Sequence, residues 1–129
     1  VTIFGSGNDV QHATLEEYHA AMAEAMNYFF INRPGLPVII VPPSPWAIYQ
    51  KRGDQWKNYC DKLELVSLNY SLRYVREMWT APPFDPSSPA ARAAFFSKDA
   101  EGIHPDENGH RLLAPYFYNA LIEVLSFKE

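Results

Sequence analysis

Two groups of polar residues, far apart in the sequence, have the types and spacing that acyl-transfer chemistry needs. The first contains Asn8 and Asp9, which follow a short apolar run and a glycine-containing turn. An asparagine amide fixed in such a turn can donate a hydrogen bond to a developing oxyanion, which is typically worth about 3 kcal/mol of barrier. An asparagine can also occur in a turn only because it tolerates the left-handed backbone conformation. Asn8 by itself leaves both roles open.

The second group is the segment Glu101–Pro105, in which His104 comes just before a predicted helix. The neighbouring glycine and proline restrict the backbone, which suits a general base that must keep its orientation. The carboxylate of Glu101, three residues upstream of the histidine, can turn back to the imidazole Nδ1 and fix its tautomer. The alternative interpretation is a histidine that caps the helix beside a surface carboxylate.

The order and separation of the two groups resemble the SGNH (GDSL-like) serine hydrolases. The segment Gly5–Asp9 is similar to the family's Gly-x-Asn-Asp block, and Glu101–His110 is similar to its Asp-Gly-x-His-Pro block and the tail behind it. The resemblance implies an α/β fold of three layers, with a flavodoxin-like parallel sheet. It also implies the activity of an esterase, deacetylase or lipase-like hydrolase that needs no metal or organic cofactor.

The resemblance assigns a role to each matching residue. It makes Asn8 the side-chain donor of the oxyanion site and His104 the general base that activates a serine. The family has an aspartate three residues before the histidine, where this chain has Glu101, and Asp99 is a possible substitute. Ser6 is a second departure, because the family has glycine two residues before the asparagine.

The family's nucleophile block, Gly-Asp-Ser, precedes the asparagine block, and the sequence contains no such segment. Ser6 and Ser44 lie near the predicted crevice, but neither has the flanking sequence of a nucleophile. Residues 1–129 are therefore expected to be the C-terminal part of a single SGNH-type domain, without the first strands of its sheet. We expect a companion polypeptide to supply the Gly-Asp-Ser strand, because an acyl-enzyme cannot form without a nucleophile.

The strand order predicts where a substrate binds. Ligands of open α/β sheets bind beyond the carboxyl ends of the strands, so the loops after Phe4 and Val41 should border one crevice. The residues of these loops that we expect to contact an ester substrate are Gly7, Asp9, Pro43 and Ser44. Four aromatic residues could wall the crevice for acyl or sugar groups, or could simply pack in the core: Trp46, Tyr49, Trp56 and Trp79.

Apolar patterning predicts the elements that position these groups. Val1–Phe4 and Pro37–Val41 are expected to be buried strands, and Thr14 begins an amphipathic helix with a capping box completed by Glu17. Strand, helix and strand in this order predict a parallel sheet. A long helix is expected from Asp54 to about Glu77, with two buried stripes that include Leu65 and Leu68. One more strand is expected within 78–84. A last helix is expected from about Asp106, whose side chain should cap it.

Composition excludes several classes of function. With 11 basic and 15 acidic residues, the net charge of −4 disfavours nucleic acids and anionic membrane surfaces as partners. Cys60 is the only cysteine, so no internal disulfide can form. No apolar run approaches the roughly 20 residues that span a bilayer, so we expect a soluble chain and leave its compartment open. The alternatives to a hydrolase are a non-catalytic subunit of the same fold and a carbohydrate-binding module.

Overall fold

The computed structural model describes residues 2–5, 12–42, 45–81, 85–95 and 104–126. Within these ranges the chain alternates strands with helices. In chain order the elements are β1 (Thr2–Gly5), α1 (Leu15–Asn32), β2 (Val38–Val41), α2 (Pro45–Arg52), a 3₁₀ turn (Gly53–Gln55), α3 (Trp56–Asn69), β3 (Arg73–Tyr74), α4 (Glu77–Thr80), α5 (Pro89–Phe95) and α6 (Glu107–Ser126).

The three strands form one parallel sheet in the order β1-β2-β3. Ile3 is paired with Ile39, and Ile40 is paired with Tyr74. Parallel neighbours need a crossover connection, which here is a helix in both cases, α1 between the first two strands and α3 before the third. The protein therefore belongs to the α/β class, as expected from its sequence.

Helix α1 begins where the capping box predicts. The backbone N–H of Thr14 donates to Glu17 Oε2 at 2.8 Å, and the backbone N–H of Glu17 donates to Thr14 Oγ1 at 3.2 Å. Both bonds satisfy amides that the first turn of a helix otherwise leaves unpaired. The apolar face that starts here buries Tyr18, Met22 and Met26 against the sheet and α3. The predicted start and core face of this helix are confirmed.

Strand β2 is covered on both faces, as its continuous apolar run predicts. Val38 and Ile40 pack in the larger core with α1 and α3. Ile39 faces the other side of the sheet, where it packs with Val75, which follows β3, and with Ala120 of α6. Alternate side chains of a strand point to opposite faces, so a strand between two helical layers must be apolar at every position. The sheet thus has helices packed on both sides.

The expected helix from Asp54 to Glu77 is wrong beyond Asn69. Helix α3 ends at Asn69, Ser71 takes the left-handed conformation with φ 54°, and the chain enters the sheet as β3. The backbone N–H of Val75 then donates to the carbonyl oxygen of Ile40 at 2.9 Å, which extends the pairing with β2. Sheet pairing of this kind overrides a local helical periodicity.

Two further expectations fail in the same region. Leu65 and Leu68 belong to the stripe expected to be buried, but their side chains are 48% and 64% exposed. The strand expected within 78–84 is wrong for its first residues, because Glu77–Thr80 forms the short helix α4, and residues 82–84 lie outside the described residues. Helix α2 was not predicted at all. A strand of two residues is too short to show an alternating pattern, so its place could not be read from periodicity.

Candidate functional site

The carboxyl edge of the sheet is where the two strands that precede the predicted loops end. Gly5, the last residue of β1, is in register with Val41, the last residue of β2, so both strands leave the sheet at the same level. The predicted site residues that follow them along the chain lie outside the described residues, as do Glu101 and its possible substitutes: Ser6, Gly7, Asn8, Asp9, Pro43, Ser44, Asp99 and Glu101.

Helix α6 carries His104 toward the same edge. Near its end, Glu123 forms an ion pair with Arg73, the first residue of β3, and Val124 borders a cavity with Pro37 at the amino edge of the sheet. The helix therefore runs opposite to the strands. The first residue of α6 lies about 24 Å before Glu123 along the helix axis, whereas a four-residue strand is only about 13 Å long. We therefore expect His104, just before this helix, on the side of the carboxyl edge.

The cap of α6 belongs to Asp106 rather than to His104. Asp106 Oδ1 accepts a hydrogen bond from the backbone N–H of Gly109 at 2.9 Å, and its carbonyl oxygen accepts one from His110 N at 2.8 Å. The expected capping role of Asp106 is confirmed. The side chain of His104 is exposed at this end of the helix. The alternative interpretation of His104 was that it caps the helix. The structure gives this role to Asp106.

The end of α5 holds the first turn of α6 in place. The carbonyl oxygen of Phe95 accepts a hydrogen bond from the backbone N–H of Asp106 at 3.0 Å. A β-carbon at Gly109 would lie only 2.2 Å from that oxygen and 2.9 Å from Pro105 Cβ. Only glycine allows this approach, which gives a physical reason for a glycine at position 109. The backbone that follows Pro105 is thus fixed two residues after His104.

A cavity of about 420 Å³ opens at the carboxyl edge, beside the first turn of α3. Two of its lining residues, Trp56 and Trp79, were singled out in the sequence as possible walls of the crevice. The others were missed, because isolated polar residues outside a motif carry no sequence pattern. Among the described residues, the lining consists of Trp56, Lys57, Trp79, Thr80, Ala81 and Asp85.

Two more cavities, of about 320 and 410 Å³, lie at the amino edge of the sheet, where both are bordered by Leu36, Val38 and Leu72. They are separated from the predicted loops by the length of the strands. A substrate bound there could not reach His104.

The described residues hold no other obvious centre of reaction. Cys60 is fully buried, and this burial raises the pKa of its thiol, so it stays protonated and unreactive. Across the described segments, no three histidine, cysteine or carboxylate side chains come together as a metal site requires. No helix in these segments is both long and apolar enough to cross a membrane.

Comparison with known proteins adds no information about the site. None of the protein-family models matches the chain, and neither the curated proteins nor the solved structures include a significant match.

Proposed function

We propose that this chain is part of a serine ester hydrolase of the SGNH type, with a flavodoxin-like sheet. The single observation that supports the proposal most is the position of His104. It comes just before α6, and because the far end of that helix is paired with Arg73 at the start of β3, the helix begins on the side of the sheet where Gly5 and Val41 end their strands. A base and an oxyanion donor must meet at one such place to act on one ester.

The reaction follows from the roles of the residues. A serine hydroxyl attacks the ester carbonyl while His104 takes its proton, and the amide of Asn8 donates a hydrogen bond to the oxyanion that forms. His104 then gives the proton to the leaving alcohol, and water releases the acyl group by the same two steps. Glu101, or Asp99 in its place, accepts a hydrogen bond from the Nδ1–H group and stabilises the imidazolium.

The nucleophile lies on a Gly-Asp-Ser segment after an apolar strand, outside residues 1–129, for example on a companion polypeptide. Among the described residues, β1 is paired only with β2. An unpaired edge offers backbone N–H and carbonyl groups to another strand. A parallel strand added there would end at the carboxyl edge, and a serine after it would reach the crevice that Asn8 and His104 border.

The test is hydrolysis of p-nitrophenyl acetate by the complex of both polypeptides. We expect His104→Ala to lower kcat by a factor of about 10³ or more, because the general base is lost. His110→Ala is the matched control, since this exposed histidine lies on the first turn of α6 and should leave the rate unchanged. Equal rates for wild type and His104→Ala would reject the hydrolase and favour a non-catalytic subunit. Sugar binding without any ester turnover would favour a carbohydrate-binding module.

A further inference from the structure

Helices α1 and α3 lie side by side on one face of the sheet and run in the same direction. The ring of Tyr18 packs against that of Tyr59 with centroids 5.5 Å apart, and the ring of Phe30 packs against that of Tyr70 at 6.0 Å. Each residue of α1 is therefore level with the residue about 40 positions later in the chain. The outer faces of the two helices can be compared turn by turn.

These outer faces share one pattern. In both helices an exposed acidic residue is followed, four and seven positions later, by an exposed large apolar residue. Residues at this spacing lie on the same face of a helix. The two triplets are Glu24, Tyr28 and Ile31 in α1 and Asp61, Leu65 and Leu68 in α3.

The apolar members of the triplets lie next to each other. Leu65 is level with Glu24, Leu68 is level with Tyr28, and Phe30 bridges the two helices through its contact with Tyr70. Single exposed apolar side chains are ordinary, but a group that continues across two helices marks a contact surface. The exposed fractions of its members lie between 48% and 65%. We call this surface the α1–α3 patch, and it consists of Tyr28, Phe30, Ile31, Leu65 and Leu68.

A cavity of about 320 Å³ adjoins the patch at the amino edge of the sheet. Its lining includes Phe29 and Phe30 from α1, and Tyr70 and Leu72 from the segment that follows α3. Phe30 thus belongs to both the cavity and the patch. A pocket beside an exposed apolar surface suits the large anchor side chain of a protein partner.

The charge of the two helices is negative. Helix α1 contains no lysine or arginine, and together the two helices contain five acidic and two basic residues. Glu64 is paired with Arg76, and Lys57 lies against the ring of Trp56, at the other end of α3 from Leu68. The acidic residues are Glu16, Glu17, Glu24, Asp61 and Glu64, and the basic residues are Lys57 and Lys62.

This charge selects the partner. An anionic lipid surface would be repelled, and two α1–α3 patches facing each other would bring like charges together. The other helix of the chain with exposed apolar side chains is α6, which contains two acidic residues and only one basic residue. A second copy of the chain therefore offers no complementary charge through α6 either. A helix with one apolar face and flanking basic residues matches both the patch and its acids.

We propose that the α1–α3 patch binds an amphipathic basic helix of another polypeptide. The apolar face of that helix covers the patch, and its lysine or arginine side chains lie beside Glu24 and Asp61. One large apolar side chain enters the cavity next to Phe30. This interaction goes beyond the proposed hydrolase, because the patch contains none of the residues that the reaction uses.

The first test is binding of a model helix that repeats the sequence Leu-Lys-Lys-Leu-Leu-Lys-Leu twice. The labelled peptide is titrated with the protein and followed by fluorescence anisotropy, and we expect saturable one-to-one binding. The same peptide with glutamate in place of lysine should bind about tenfold more weakly. Tyr28→Ser/Leu68→Ser should weaken binding of the lysine peptide about tenfold or more, because apolar contact area is lost. The matched control is Tyr118→Ser/Leu125→Ser, which makes the same changes at exposed positions of α6 and should leave binding unchanged.

The second test removes the acids and keeps the patch. Glu24→Gln/Asp61→Asn should weaken binding about threefold or more at low salt and make the affinity less dependent on salt. Glu107→Gln/Asp54→Asn makes the same chemical changes at exposed positions outside α1 and α3, and the affinity should stay closer to that of the wild type. A loss of the same size in both variants would show that the peptide responds only to net charge, which would overturn the proposal.

Three further results would also overturn it. The first is the absence of peptide binding, and the second is an equal loss in the two serine variants. The third is occupation of the patch by something else. A dimer in sedimentation that Tyr28→Ser/Leu68→Ser abolishes would assign the patch to a second copy. Binding to phosphatidylcholine vesicles that the same variant abolishes, without peptide binding, would assign it to a lipid surface.

Discussion

The carbonyl oxygen of Phe95 and the backbone of Gly109 are in such close contact that a β-carbon at position 109 would lie 2.2 Å from the oxygen. The same oxygen accepts the hydrogen bond from Asp106 N at 3.0 Å, so it cannot move away without breaking that bond. The carbonyl group at the end of α5 thus contacts both Asp106, just before α6, and Gly109, in the first turn of α6. His104 is anchored through this junction.

Gly109→Ala is therefore expected to destabilise the protein. Alanine normally favours a helix over glycine by about 1 kcal/mol, but overpacking costs about 1–3 kcal/mol, and the clash here is with backbone rather than with a movable side chain. We expect a lower midpoint of urea unfolding and a net loss of about 1–2 kcal/mol. Asn119→Ala, an exposed position in the same helix, serves as the control and should change stability by less than about 0.5 kcal/mol. A more stable Gly109→Ala protein would show that the close contact is absent in solution.

The cap at Asp106 should contribute to stability by a separate amount. Asp106→Ala removes the acceptor of the Gly109 N–H and is expected to cost about 0.5–2 kcal/mol, whereas Asp106→Asn keeps an acceptor and should cost less. Thermal unfolding of the two variants measures the difference. Equal losses in both would mean that the carboxylate charge, rather than the cap, is what stabilises the helix.

Leu63 and Leu65 test the corrected helix α3. Leu63 is fully buried, while Leu65 is 48% exposed although its spacing suggested a buried stripe. We expect Leu63→Ala to lower the free energy of unfolding by about 2–5 kcal/mol and Leu65→Ala by less than about 1 kcal/mol. Urea unfolding of both variants measures this contrast. Similar losses at the two positions would restore the two-sided burial that the sequence pattern suggested.

Arg73 links β3 to its surroundings through charge and makes stability depend on pH. It forms ion pairs with Glu77 and Glu123. Partial burial by itself would raise the pKa of Glu77, but hydrogen bonds from its own backbone and from Arg73 outweigh this effect and lower it. A carboxyl group with a lowered pKa stabilises the folded state above the pKa of the unfolded chain, about 4.3 for glutamate, and loses this effect as the pH falls through the folded pKa.

We expect Glu77→Gln to change the slope of the unfolding midpoint against pH. Between about pH 5 and pH 3 the unfolding midpoint of the wild type should fall more steeply than that of Glu77→Gln, because the amide does not titrate. Solvent screens this half-exposed pair, so the difference should be small. Glu16→Gln, at an exposed position of α1 outside this network, is the matched control and should keep the slope of the wild type.

The sequence allowed prediction of those parts of the fold in which local chemistry decides the structure. The capping box of Thr14 and Glu17, the buried run of β2 and the cap at Asp106 each depend on neighbouring residues, and all three are confirmed. The edge at which the loops should meet also follows from a general property of parallel sheets.

The parts that were missed depend on contacts between distant residues. Strand β3 exists because Ile39 and Ile40 offer an edge for Arg73 and Tyr74, and nothing in the local pattern around position 73 indicates this. The cavity brings Lys57 next to Asp85 only after α3 and α4 have packed. Trp56 and Trp79 were noticed because tryptophan is conspicuous in a sequence, whereas a lysine and an aspartate on the surface are not.

The parallel sheet also sets the order in which the molecule can fold. Each pairing joins strands that are separated along the chain by a complete helix, so closing either loop costs chain entropy before any hydrogen bond between strands repays it. Helices α1 and α3, each of which is stabilised internally by local hydrogen bonds, should form first and present the surface on which the strands align. In a refolding experiment, helical circular dichroism should therefore appear before the amides of β2 become protected from hydrogen exchange.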